Sequence, residues 1–318
     1  MGDLVALASA FCWAGANVMI ARGVRDTRGA DNGAFLSILL TVALSAAVWL
    51  FTGLAISRLN LAGMLWFALA GAMTIFVGRL LLYSSFRRLG AVRGASLKRM
   101  APFFSVLLGV SLLGDRITPG LLAGMVLILC GIAALIYESQ LKARASGAIE
   151  PVGSFWQRWF NPGFIFGTVS ALAYALGNVA RKYGVAELPD PVFGTLFGAL
   201  AGTALFVLAG LVAPSYRTAV KSTFTQFRPW LLAGGFFGSA GQLLFFVAID
   251  LSTVSRAALI ASSEVFLTIL LSVAIFRHER LTRWVVIATV LGALGTVAIV
   301  DDRDRAGGTA PAAPLHVR

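Results

Sequence analysis

Lys98, Arg99 and Glu264 sit deep inside long apolar runs. The first two lie in RGASLKRMAPFFSVLLGVSLL, the third in ALIASSEVFLTILLSV. An ionisable side chain in a membrane helix costs about 2.5–3.5 kcal/mol on insertion scales, so it is a functional candidate by default. Lys98 or Arg99 can bind an anionic group, and Glu264 can take up a proton or a substrate amine. The competing readings are a structural ion pair and snorkelling of the two basic side chains. Adjacent helical residues point roughly 100° apart, which counts against Arg99. Arg79, in VGRLLLYSSF, likewise needs a partner or water.

A second set of candidates comes in matched pairs. Asn17 and Asn178 stand in SAFCWAGANV (9–18) and SALAYALGNV (170–179), strings that repeat one another. A side-chain amide has donors and an acceptor. It can hold substrate or a neighbouring helix, and the second reading is preferred here. Four positions earlier stand Trp13 and Tyr174, as cavity wall or as interface belt. A longer segment, 80–110, matches 243–273 without a gap. That register pairs Arg79 with Gln242 and Ala101 with Glu264, so Gln242 joins the candidates. Lys98, Arg99 and Glu264 then occupy nearby layers of symmetry-related helices.

These residues are carried on a duplicated apolar chain. Apolar residues make up 58% of it and charged residues 13%, too little charge to cover a soluble protein of this length. Alternating-polarity segments that would indicate a barrel are absent from the sequence. Helices are predicted at about 3–22, 33–54, 61–86, 91–113, 118–137, 163–183, 191–213, 229–250, 254–276 and 281–300, each long enough to cross the hydrocarbon core. The organisation expected is a first five-helix repeat at 1–137, a polar linker at 138–162, a second five-helix repeat at 163–300 and a disordered tail at 301–318. An odd number of helices per copy makes the repeat inverted. The fold class is therefore an all-α integral membrane protein of ten transmembrane helices, built as two inverted repeats. Recurring Gly residues allow close helix approach, a packing signal without substrate information.

Several function classes fall away. The net charge of +12 is best explained by basic residues at helix ends, facing lipid headgroups; no nucleic-acid motif accompanies it. Cys12 and Cys130 read as buried packing residues, without a disulfide framework. The opening MGDLVAL is a poor signal peptide, so the first helix is expected to be retained. No zinc motif, phosphate-cradling loop or nucleophile elbow is present, which leaves no cofactor, no metal and no enzyme, and makes an ion or solute gradient the energy source. Asp250, Arg181, Lys182, Asp115 and Glu279 read as helix-end anchors or loop salt bridges, with Asp115 and Glu279 as caps.

The duplicated five-helix unit and the segment RGASLKRMAPFFSVLLGVSLLGDRIT (93–118) resemble the EamA-type branch of the drug/metabolite transporter superfamily. In that family the segment is a fourth helix with a central Pro, here Pro102, and an acid at its end, here Asp115. The second copy, SEVFLTILLSVAIFRHERLT (263–282), ends at Glu279 and has Val265 in place of the Pro. The resemblance covers about residues 3–300 and implies ten helices with cytoplasmic termini. Loop Lys and Arg residues instead concentrate on the face opposite the termini, which by the positive-inside rule puts the termini outside the cytoplasm. The string from Lys98 to Phe104 is similar to the fourth helix of triose-phosphate translocators. The second copy has Ala261 and Ser262 where those proteins carry a basic pair.

The expectation is a secondary transporter of small organic metabolites working by alternating access, an exporter of amino-acid-like or anionic solutes. It would reside in a bacterial inner membrane, with the lipid bilayer and a small-molecule substrate as partners, as a monomer or homodimer. The alternatives are a lipid flippase on the same fold and an organic-phosphate antiporter.

Overall fold

The computed structural model describes residues 1–25, 34–52, 60–89, 97, 100–145, 162–226, 228–276 and 282–305. The first half contains α1 (Gly2–Arg25), α2 (Ala34–Thr52), α3 (Leu61–Gly71) running through a π-helical turn (Ala72–Val77) into α4 (Gly78–Leu89), α5 (Ala101–Leu113) and α6 (Pro119–Ala145). The second contains α7 (Pro162–Glu187), α8 (Pro191–Val212), α9 (Pro214–Thr225), α10 (Pro229–Leu251), α11 (Val254–Ala261), α12 (Glu264–Phe276) and α13 (Arg283–Arg305). Among the described residues, eight helical spans are long and apolar enough to cross a membrane, and two shorter apolar helices, Phe35–Phe51 and Ala101–Leu113, accompany them. The protein is an all-α integral membrane protein with ten membrane helices in two inverted repeats.

Local sequence sets where the helices start and stop. Proline opens α6, α7, α8, α9 and α10, where its missing N–H costs nothing. Asn60 caps α3 by accepting from the Ala62 N–H, and Asp190 caps α8 by accepting from the Phe193 N–H. Gly114 ends α5 at φ 68°, a left-handed turn that glycine adopts without a Cβ penalty.

Three departures from the sequence expectation matter. The third membrane helix is not uniformly α-helical: its π-helical turn shifts the register at the middle of the span. The ninth is broken, with α11 ending at Ala261 and α12 restarting at Glu264. The loop after α8 holds a short amphipathic helix, α9, that packs on α8 through Phe206 and Tyr216. At the margins, α6 continues to Ala145 and α13 to Arg305, past the predicted helix ends; residues 146–161 and 306–318 lie outside the described residues.

Packing follows the two-fold relation between the halves. Helix α1 packs along α10, and its counterpart α7 packs along α3 and α4; α5 packs on α7 as α11 and α12 pack on α1. Helices α6 and α13 pair with one another. The close approaches are made by glycine. A Cβ on Gly71 would collide with the backbone of Gly198, where α3 crosses α8. A Cβ on Gly295 would lie 2.8 Å from the carbonyl oxygen of Gly124, where α13 crosses α6. Large apolar side chains such as Phe51, Leu211 and Val297 point outward, a surface that suits lipid. Cys130 is on that outer surface and Cys12 is half-buried, which corrects the expectation of two buried thiols.

Gly71→Ala should therefore destabilise the fold by about 1–3 kcal/mol, the usual range for overpacking. The control is Gly15→Ala, whose new methyl would meet nothing closer than Phe237 Cδ1 at 3.6 Å. A thermal-melting comparison in detergent should show a lower Tm for the first variant and little change for the second.

Candidate functional site

The two halves enclose a cavity of about 400 Å³, within the size range of small-molecule sites. Its wall comes from α1 (Trp13, Asn17, Ile20), α2 (Ser37, Thr41), the π-helical turn (Thr74, Ile75), α4 (Arg79), α5 (Ala101, Pro102, Ser105), α7 (Tyr174, Asn178, Arg181), α10 (Gln242, Phe245) and the broken ninth span (Ser262, Glu264). Of the sequence candidates, Trp13, Asn17, Arg79, Tyr174, Asn178, Gln242 and Glu264 come together on this one wall. Lys98 and Arg99 lie outside the described residues; Leu97, just before them, is buried against Gly167 of α7.

The geometry is two-fold at the level of single atoms. The Ser9 hydroxyl donates to the Gly241 carbonyl at 2.8 Å, and its repeat mate Ser170 donates to the Gly78 carbonyl at 2.6 Å. Trp13 packs on Gly241, and Tyr174 packs on Gly78. Asn17 Nδ2 donates to Thr268 Oγ1 at 3.3 Å, and Asn178 Nδ2 donates to Ser105 Oγ at 3.2 Å. Serine, threonine and asparagine thus fasten the first helix of each half to the fourth helix of the other, while keeping a polar edge toward the cavity. The amide oxygen of Asn178 is used as well: it accepts from Arg181 Nη1 at 3.0 Å.

Charge breaks this symmetry. Arg181 is 4% exposed, on the seventh helix one turn beyond Asn178; its repeat mate is Ile20. The guanidinium donates from Nη1 to Asn178 and from Nη2 to Thr74 Oγ1 at 3.1 Å. Gln242, with its amide turned so that the oxygen faces Arg181, accepts from Nη2 at 2.7 Å and from Nη1 at 3.2 Å. The ring of Phe246 lies 5.2 Å from the guanidinium carbon, a cation–π distance. Nε has no hydrogen-bond partner among the described residues. Among the described residues, every acceptor Arg181 reaches is neutral. In a membrane interior such a charge costs about 2.5–3.5 kcal/mol on insertion scales, and the neutral dipoles around it offset only part of that.

Glu264 opens α12 at the break in the ninth span, where a carboxylate meets the positive end of the helix dipole. Its repeat mate Ala101 opens α5, with Pro102 in the first turn and no side-chain cap from Met100. Two helix starts therefore meet the cavity at equivalent positions. Arg79 stands at the start of α4, directly after the π-helical turn.

On the side of the cavity that holds Asp3, a polar mesh ties the helices together. Arg256 pairs with Asp3 at 3.2 Å and also donates to the Ile299 carbonyl. Asp115 Oδ2 accepts from the Ser255 hydroxyl at 2.6 Å and from its N–H at 3.0 Å. Lys182 Nζ donates to the carbonyls of Ile249, Asp250 and Ser252 at 2.7, 3.2 and 2.9 Å, capping the end of α10 with a cation. Tyr183 donates to the Leu112 carbonyl at 2.8 Å. These contacts join α1, α5, α7, α10, α11 and α13 at one membrane face.

Two expectations need correction. Arg181 is not a helix-end anchor: α7 runs on to Glu187, and the side chain turns into the cavity wall. Lys182 is not a lipid anchor either, since it is spent on the end of α10. The signal for Arg181 was present as a stripe, Tyr174–Asn178–Arg181, at spacings of four and three on one helical face. Asp115 does lock a neighbour, as expected of a cap, by holding the first turn of α11. Glu279 lies outside the described residues. Among the described residues, no three His, Cys, Asp or Glu side chains converge to hold a metal ion.

Comparison with known proteins agrees with this architecture. The "Uncharacterized protein PA1977" of Pseudomonas aeruginosa is 32% identical over 147 residues, which are 46% of this chain and 50% of that protein; the match thus spans about half the length of this relative. A solved protein crystal structure superposes with a TM-score of 0.71 at 18% identity, covering 96% of this chain and 98% of the other, a likeness that shows the fold alone. The model of the EamA-like transporter family matches residues 1–137 and again 161–301. With both halves of the helical bundle matched, the chain belongs to the EamA-like transporter family.

Proposed function

We propose that the protein is a gradient-driven secondary transporter that moves small organic solutes, amino-acid-like or anionic, across a bacterial inner membrane by alternating access, with export as its working direction. The supporting observation is the central cavity. It lies between two inverted halves and draws polar side chains from both, while a separate mesh of Asp3, Asp115, Lys182 and Arg256 ties the helices together. Repeat pairs of this kind let a protein exchange the conformations of its halves, and so open to either side around one site. Because one chain supplies the whole wall, a single copy can carry the pathway.

In this reading Trp13 and Tyr174 form the walls, Asn17, Asn178 and Gln242 give the polar edges, and Arg79 adds positive potential. Glu264 takes up the coupling proton or a substrate amine. Lys98 and Arg99, outside the described residues, remain candidates for binding an anionic group. The Asp3 mesh is the contact set that must part for the other access state.

Two outcomes follow. In proteoliposomes, Glu264→Gln should abolish uptake driven by a pH gradient while solute exchange across the membrane continues; uptake at the wild-type rate would reject Glu264 as the coupling group. Breaking the 3.2 Å Asp3–Arg256 pair with Arg256→Gln should raise the rate at which a cysteine placed at Ser255 reacts with a water-soluble maleimide. A removed buried charge partner costs about 3–5 kcal/mol, enough to shift a two-state access equilibrium by a hundredfold or more. No change in labelling would mean that the mesh does not gate that face.

A further inference from the structure

Resting on the transport reading above, we propose that Arg181 and Gln242 form a carboxylate-recognition site in the cavity wall, with the Gln242 amide as a built-in stand-in for the ligand.

Three observations carry this. First, Arg181 is almost wholly buried and all its polar partners, Asn178, Thr74 and Gln242, are neutral. Among the described residues no carboxylate pairs with it. Second, Gln242 accepts from both terminal nitrogens at once, at 2.7 and 3.2 Å. One oxygen thus sits across the Nη1/Nη2 edge, the edge at which a guanidinium can receive the two oxygens of a carboxylate. Third, Gln242 is only partly buried and itself lines the cavity, as does Arg181. A solute entering the cavity can therefore displace the Gln242 oxygen from the guanidinium. The freed amide then has two N–H donors to turn toward the incoming carboxylate.

The chemistry sets the ligand class. A neutral carbonyl accepts two charge-assisted hydrogen bonds but brings no counter-charge. A carboxylate accepts the same two bonds and also neutralises Arg181 in a low-dielectric site. The gain comes on exchange, so the empty site stays closed by a weaker partner without being blocked. Its repeat mates supply no second such site, since Ile20 stands opposite Arg181 and Arg79 opposite Gln242. The ring faces of Trp13, Tyr174 and Phe245 on the same wall suit the apolar part of a small carboxylic acid.

The test uses the full-length protein purified in detergent and equilibrium binding of matched probes: L-alanine with lactate, L-phenylalanine with phenyllactate, and ethylamine and inorganic phosphate as controls. Each acid pair shares the carboxylate and differs in amine against hydroxyl. The expected result is binding by at least one acid and none by ethylamine alone. Gln242→Glu supplies a permanent carboxylate to Arg181, so it should raise the Tm and weaken acid binding roughly hundredfold, the scale for losing a buried charge partner. Arg181→Gln should abolish acid binding, and Gln242→Glu keeps the proposal testable if that variant does not fold. Preference for the amino acids over the hydroxy acids would assign a zwitterion; equal binding would assign a simple carboxylate.

Acid binding unchanged in Gln242→Glu, binding by phosphate or ethylamine in preference to every acid, or no acid binding at all would overturn the proposal. Transport in proteoliposomes separates it from the broader reading. Acids that bind through Arg181 but never cross the membrane would sink the transport reading and leave the site. Solutes that cross regardless of Arg181 and Gln242 would do the reverse.

Discussion

Inside a bilayer, a polar side chain has no water to fall back on and must find its partner within the protein. Some find it one turn back on their own helix, as Thr74 does at the Ala70 carbonyl, and others find it on the other half of the chain. Ser9 reaches Gly241 and Ser170 reaches Gly78; Asn17 reaches Thr268 and Asn178 reaches Ser105. Thr41 meets Ser239 at 2.9 Å, and Thr282 donates to Glu138 at 2.6 Å. Thr41, Ser239 and Thr268 also bond to carbonyls on their own helices, so these links add to what each half satisfies for itself. The exchange of polar contacts, together with the glycine crossings, holds two weakly similar units in one register and leaves the cavity between them.

The same exchange explains what the sequence discloses and what it hides. Repeat pairing was readable because structural contacts must be made twice: a serine that meets a glycine carbonyl in one half requires its mate to do so in the other. Aligning the two copies pairs Asn17 with Asn178, Trp13 with Tyr174 and Arg79 with Gln242, and the structure places all six on the cavity wall. Helix breaks left no such trace. The ninth span stays apolar across Ser262 and Ser263, so hydropathy runs straight through a discontinuity that depends on tertiary contacts. The π-helical turn at Ala72–Val77 is equally silent, since AMTIFV has no Gly or Pro to mark it.

Arg181 was hidden for a different reason. Next to Lys182, near the end of an apolar run, it has the composition of a headgroup anchor. The stripe with Tyr174 and Asn178 counts only if α7 runs on past Arg181, and the ends are the least certain property of a predicted helix. Once the helix is known to run to Glu187, the two neighbours part company. Lys182 turns to the carbonyls that end α10, and Arg181, about 100° around the helix, turns inward. One step along the sequence thus separates a residue that builds the scaffold from one that charges the cavity.

The positions where the halves differ point the same way. Serine, glycine and asparagine contacts are duplicated; under the proposed alternating access, a contact made by only one half would bias the exchange. A solute has no such two-fold symmetry, so the groups that would recognise it have no reason to be duplicated. Arg181 faces a repeat mate of isoleucine, Glu264 one of alanine, and Gln242 one of arginine. All six of these positions lie on the cavity wall. A symmetric frame with asymmetric charge at its centre is what a carrier of a small asymmetric solute requires, and it explains why the repeat that reveals the fold says least at the residues proposed to select the cargo.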